Sequence, residues 1–109
     1  MTREKLRKIQ RQIDALRRTA VTHSDVASVA NQLGRKRLKG AMARKEPTFI
    51  STVFASARPI SIPDHGSRNL SPIVKKNVLN DLEEDILRFQ EMLRKEEEND
   101  VQENGGYSN

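Results

Sequence analysis

The sequence predicts an α+β domain, on three observations. Apolar residues recur at helical spacing near both ends of the chain. Between them lie short runs in which apolar and polar residues alternate, or in which β-branched and aromatic residues cluster. The runs come in the order helix, helix, three strands, helix, and the short links between strands point to an antiparallel meander. With 109 residues, the chain suffices for one domain with a modest core.

The first stripe is Leu6, Ile9, Ile13 and Leu16, at spacings of three and four over residues 3–18. Arg3, Lys5, Arg7, Lys8, Arg11, Arg17 and Arg18 cover the rest of that helix. Either the stripe docks on the domain or the cations approach nucleic acid; the two readings use different faces, and docking is the one adopted. Thr22 or Ser24 caps a second helix, and Thr22-x-x-Asp25 resembles a capping box with Asp in place of Glu. Val26, Val29, Ala30 and Leu33 form its apolar face, read as pure core packed on a sheet, and Gly34 is the expected stop.

Residues 35–45 give a strand through Leu38, a turn at Gly40 and a basic approach to the next strand. Arg35, Lys36, Arg37, Lys39, Arg44 and Lys45 are positive, and no acid interrupts them. The run is either a phosphate-tracking surface or a disordered loop. Residues 48–54 make the central strand, with Phe49, Ser51 and Val53 on one face and Ile50, Thr52 and Phe54 on the other. After a link at 55–59, Ile60 and Ile62 alternate with Ser61, and Pro63, lacking an N–H, ends that third strand.

Asp64, Gly66, Ser67 and Asn69 are turn formers, so His65 stands at a loop tip with Arg68 close behind. That is either a phosphate or RNA contact or a histidine without a role. Ser71-Pro72 reads as an N-cap followed by proline at the first helical position. The last helix then carries Val74, Val78, Leu79, Leu82, Ile86, Phe89 and Leu93 inward, and Asp81, Glu83, Glu84, Asp85 and Glu91 on an exposed acidic face. Lys75 and Lys76 lie in its first turn against the dipole preference, and are read as facing RNA. Beyond Lys95 the acidic and Gly/Ser/Asn-containing end is expected to fray.

The organisation is thus a basic helix (1–20), an α-β-β-β-α domain (21–95) and an acidic disordered tail (96–109). From the second helix onward the layout is that of a double-stranded-RNA-binding-like (dsRBD-like) fold with a three-stranded antiparallel sheet.

Composition narrows the chemistry. There is no cysteine, hence no disulfide and no thiolate metal site, which fits a reducing compartment. No apolar run approaches a membrane span or a signal-peptide core, so a cytoplasmic protein with no membrane partner is expected. Neither a Cys/His metal spacing nor a phosphate loop occurs, and no cofactor or metal is expected. The net charge of +5 is polarised: +10 over residues 1–45, +2 over 46–80 and −7 over 81–109. A basic front half suits a polyanion, because neutralised phosphates release their counterions. With 4% aromatics and no tryptophan, base stacking has few platforms, and readout of phosphates and 2′-hydroxyls is the more natural mode.

Three stretches carry a resemblance. Val26-Ala27-Ser28-Val29-Ala30-Asn31-Gln32-Leu33-Gly34 is like an opening helix. Ile60-Ser61-Ile62-Pro63-Asp64-His65-Gly66-Ser67-Arg68-Asn69-Leu70 is like a strand, Pro and His-containing loop, and Val78-Leu79-Asn80-Asp81-Leu82 is like a closing helix. Together, from Val21 to Leu93, they resemble the HicA toxins, small mRNA-cleaving ribonucleases of toxin–antitoxin pairs. The resemblance implies a dsRBD-like fold, an RNA substrate and a HicB-like antitoxin as protein partner. The family's Gly-Ser-His motif does not occur in this chain; Glu46 stands at the corresponding place. The expected catalytic residues are therefore Glu46 and His65. The expected RNA contacts are Arg35, Lys36, Arg37, Lys39, Arg44, Lys45, Arg68, Lys75 and Lys76. Two alternatives stay open: a non-catalytic RNA-binding relative, and a protein-interaction domain whose basic face meets an acidic partner.

Overall fold

The computed structural model describes residues 1–39 and 46–107, the last eight of them by their backbone alone. Its elements, in chain order, are α1 (Arg3–Arg17), α2 (His23–Gln32), β1 (Arg35–Arg37), β2 (Thr48–Ser51), β3 (Ile60–Ser61) and α3 (Pro72–Tyr107). The architecture is mixed α+β: a three-stranded antiparallel sheet ordered β1-β2-β3 is packed by α2 and α3, and α1 packs on those two helices.

Each helix starts where its sequence provides a cap. Thr2 Oγ1 accepts the Lys5 N–H at 3.1 Å, and Ser71 Oγ accepts the Val74 N–H at 3.2 Å with Pro72 just behind it. At α2 the Thr22 N–H donates to Asp25 Oδ2 at 2.9 Å, the reciprocal half of a capping box. Gly34 ends α2 with φ +83°, and a Cβ there would sit 2.9 Å from Val53 Cγ2. Both the left-handed backbone and the lack of room demand glycine.

The α1 stripe is spent on docking: Leu6, Ile9 and Ile13 are buried, and α1 packs chiefly on α3, with α2 as its second support. In the sheet, Lys36 pairs with Ile50, Arg37 with Phe49, and Phe49 in turn with Ile60. The ladder runs one step past both pairings, with Leu38 N–H to Thr48 O at 2.8 Å and Ile62 N–H to Pro47 O at 2.9 Å. The central strand stops at Ser51 rather than Phe54. Ser51 Oγ accepts the N–H groups of Val53 and Phe54 at 3.2 and 2.9 Å, which turns the chain out of the ladder. Val53 is consequently exposed, while Phe54 folds back edge-on to Phe89, ring centroids 4.8 Å apart.

Two expectations about α3 are corrected. Asp85 is not on the acidic face; it is fully buried among Leu82, Ile86 and Phe89. Its partner is Arg35, also buried, through a bidentate pair of 2.5 Å (Nε to Oδ2) and 3.0 Å (Nη2 to Oδ1). Arg35 Nη1 further donates to the carbonyls of Phe49 and Arg58, at 3.2 and 3.0 Å, and Arg88 Nη1 adds 2.8 Å to Asp85 Oδ1. Alternation along β1 turns Arg35 to the helix-packed face, where a guanidinium is tolerated only when paired and fully hydrogen-bonded.

The second correction is length. The helix continues to Tyr107, through the stretch expected to fray. Arg94 pairs with Glu91 at 2.7 Å and Glu98 at 2.8 Å along the helix, and Glu97 reaches Arg3 of α1 at 2.7 Å. Charges at spacings of three and four support a helix that composition alone would leave unformed. Among the described residues, no helix is long and apolar enough to cross a membrane.

Candidate nucleic-acid interface

One end of the sheet gathers most of the functional candidates. Lys39 follows Leu38 out of β1, and Glu46 precedes Pro47 at the start of β2. Because Pro47 is bonded to Ile62, the loop 63–70 leaves β3 at this same end. That loop is fastened to the start of α2 by the Leu70 N–H to Val21 O bond of 2.8 Å and by a bridge between Thr22 and Asn69. It then runs straight into α3. The N-termini of α2 and α3, both positive dipole ends, therefore arrive where the loop does.

Within the loop, Asp64 Oδ1 accepts the Gly66 N–H at 3.0 Å, Arg68 N–H meets His65 O at 3.3 Å, and Gly66 takes φ +68°. His65 and Arg68 are exposed on it, as the turn chemistry predicts. Lys36, Arg37, Lys39 and Lys76 are exposed as well. Arg44 and Lys45 lie outside the described residues.

Two expected contacts are used otherwise. Arg35 is locked to Asp85 and cannot face RNA. Lys75 Nζ donates to the carbonyls of Arg17 at 3.1 Å and Thr19 at 2.8 Å. The last carbonyls of α1 lack helical donors, and antiparallel packing of α3 sets Lys75 beside them. Its charge thus closes a helix.

Glu46 is exposed and borders a pocket of about 220 Å³ with Ser61, Pro63, Asn77 and Asp81. His65 is not among the residues lining it. The two catalytic candidates share an end of the sheet but not this pocket. Among the described residues no cluster of His, Asp or Glu is arranged to hold a metal ion.

The sequence pattern marks neither His23 nor Asp81 as a functional candidate, and it sets Asp81 on the exposed acidic face of α3, where it is in fact half-buried. His23 opens α2, buried, with its ring 5.8 Å from that of Phe49 and Nδ1 3.1 Å from Ile62 O. Since a carbonyl only accepts, Nδ1 carries the proton, and Nε2 is turned to Asp64 Oδ2 at 3.9 Å. The ring thus anchors the root of the His65 loop. Nothing in the local pattern separates it from an exposed first-turn histidine.

Asp81 borders the Glu46 pocket and also a second one, of about 240 Å³, with Arg58, Glu84 and Arg88. Burial, and then the neighbouring Glu84, push its carboxyl above the ordinary value against the pull of Arg58 and Arg35. The folded state holds that proton more tightly than the unfolded chain does. Stability contributed by this group therefore falls as pH rises through the two pKa values. Asp81→Asn is expected to raise Tm at neutral pH, with the gain disappearing toward the unfolded Asp value of about 3.9. Melting curves of both proteins across that range check it, and a gain independent of pH would rule out the carboxylate as its source.

Compared with protein-family models, with curated proteins and with solved structures, the chain matches none.

Proposed function

We propose that the chain is a HicA-like RNA-binding toxin on a dsRBD-like scaffold, acting on mRNA and held in check by a HicB-like antitoxin. RNA lies across the end of the sheet formed by β1, the 63–70 loop and the start of α3. The observation that carries this reading is the convergence there of exposed Lys39, Arg68 and Lys76 with two helix N-termini, continued along the β1 edge by Lys36 and Arg37. Three exposed acids among the described residues stand at this end, Asp25, Glu46 and Asp64; Asp25 accepts the Thr22 N–H and Asp64 the Gly66 N–H. A cationic surface with few aromatics favours phosphate and 2′-hydroxyl contacts.

Cleavage of RNA through its 2′-hydroxyl needs a base to take the proton and a cation for the developing phosphate charge. Glu46 and His65 are the proton-transfer groups, with Arg68 on the phosphate. The second reading, a non-catalytic RNA-binding relative, is favoured by one observation: His65 does not line the pocket that Glu46 borders. An acidic antitoxin covering the same basic surface would be captured rapidly.

The test is RNA binding as a function of salt. Lys36→Glu with Arg37→Glu and Lys39→Glu is expected to weaken binding and to lower the salt slope by about 2–3, at roughly 0.7–0.9 for each phosphate no longer neutralised. Unchanged binding would remove β1 from the interface. Cleavage by the wild type that is lost in Glu46→Gln or His65→Ala supports the toxin. Binding without cleavage selects the second reading, and failure to co-purify with the product of a neighbouring gene counts against an antitoxin.

A further inference from the structure

The stripe of α1 faces inward, so its opposite face is left without a role in the fold. Of the seven cations between Arg3 and Arg18, Arg3 is neutralised by Glu97 and Arg17 by Glu83. Lys5, Arg7, Lys8, Arg11 and Arg18 are exposed or partly exposed, and no ion pair engages them among the described residues. The helix has two acids of its own, both exposed: Glu4, three residues from Arg7, and Asp14, between Arg11 and Arg18 at spacings of three and four, so those five cations outnumber them but do not stand alone. Arg7, Arg11 and Arg18, at spacings of four and seven, line up along one side over about 16 Å of helix.

We infer that this ridge is a second RNA-backbone contact, extending the interface proposed at the sheet end and resting on that reading. Continuity is built in. Lys75 Nζ bonds the carbonyls on either side of Arg18, which ties the C-terminal end of the ridge to the first turn of α3, where Lys76 is exposed. At the other end, Glu97 on Arg3 and the exposed Glu98 set an acidic border. A phosphate backbone leaving the sheet end past Arg68 and Lys76 therefore meets Arg18, then Arg11, then Arg7 and Lys8.

Two other kinds of partner fit this face poorly. A helix that lies on a membrane buries an apolar stripe in the lipid, but Leu6, Ile9 and Ile13 are already committed to α2 and α3. Arginine does serve as an anchor in protein interfaces, but no aromatic or large aliphatic side chain stands beside Arg7, Arg11 and Arg18 to form the dry centre such an interface needs. What it presents is guanidinium, whose planar fork matches phosphate oxygens.

The experiment measures binding of a duplex RNA of about 30 base pairs, longer than the roughly 16 that one dsRBD spans, against salt concentration. Arg7→Gln with Arg11→Gln and Arg18→Gln is expected to lower the salt slope by about 2–3 and to leave Tm unchanged. Arg58→Gln with Arg94→Gln and Lys95→Gln, away from the ridge, removes the same three charges and should leave the slope as it is. A wild-type slope in the α1 variant, while the Lys36/Arg37/Lys39 reversal still weakens binding, overturns this inference and leaves the sheet-end interface standing. Weaker binding by the α1 variant with no effect of that reversal keeps the ridge and removes the sheet end. A wild type that binds no RNA removes both, as does binding to phosphatidylserine vesicles alone.

Discussion

Asp85→Ala is expected to destabilise the protein by about 3–5 kcal/mol, because it leaves the Arg35 guanidinium charged and buried with no carboxylate. Arg35 and Asp85 are 2% and 0% exposed, so water, which reaches Arg35 through the pocket beside Asp81, is a poor substitute for the missing partner. One bidentate pair also joins β1 to α3, and through the Arg35 bonds to the Phe49 and Arg58 carbonyls it holds β2 and the 55–59 link. The substitution should therefore show as a drop in Tm of more than about 10 °C. Arg35→Met combined with Asp85→Leu removes both charges and should be less destabilised than Asp85→Ala alone, although the two carbonyls lose their donor. A cost below about 1 kcal/mol for Asp85→Ala would mean that the pair is solvated.

Ile13→Ala is the second large effect, expected at about 2–5 kcal/mol from reduced burial plus the cavity left behind. Ile13 is 0% exposed in a helix that the charge pattern separates from the domain that follows. Its apolar face is closed by α3 and α2, so α1 is part of the core and not an appendage. Arg11→Ala, two residues away on the outer face, should change stability by less than about 0.5 kcal/mol. Chemical denaturation of the two variants separates the faces: equal, small effects would mean that α1 does not dock.

For function, the consequence of that docking is a clean division of one helix. The residues that hold α1 to the domain are the apolar ones, so its free cations can be changed without touching the fold. The same division holds at the sheet end, where Lys36, Arg37 and Lys39 are exposed beside a buried Arg35. Charge-changing variants there report on partners, and variants at Arg35 report on stability.

Local pattern carries the element order, the apolar stripe of α1, the N-caps at Thr22 or Ser24 and at Ser71, the Gly34 stop and the exposed loop at His65. All of these are local: they depend on spacings of two, three or four residues and on backbone preferences that neighbours in sequence set. Which cations are free is settled by packing. Arg35 reads as one member of an unbroken basic run, yet it pairs with a carboxylate 50 residues away that itself sits among apolar neighbours on α3. Lys75 reads like Lys76, but antiparallel packing brings it to the carbonyls that end α1. The helical tail and its Glu97–Arg3 pair, the anchoring of the loop by His23, and the raised carboxyl of Asp81 belong to the same group. Each depends on a partner, or on exclusion of solvent, brought about by chain segments far apart in sequence, and a charge shows nothing locally of whether folding will leave it in water.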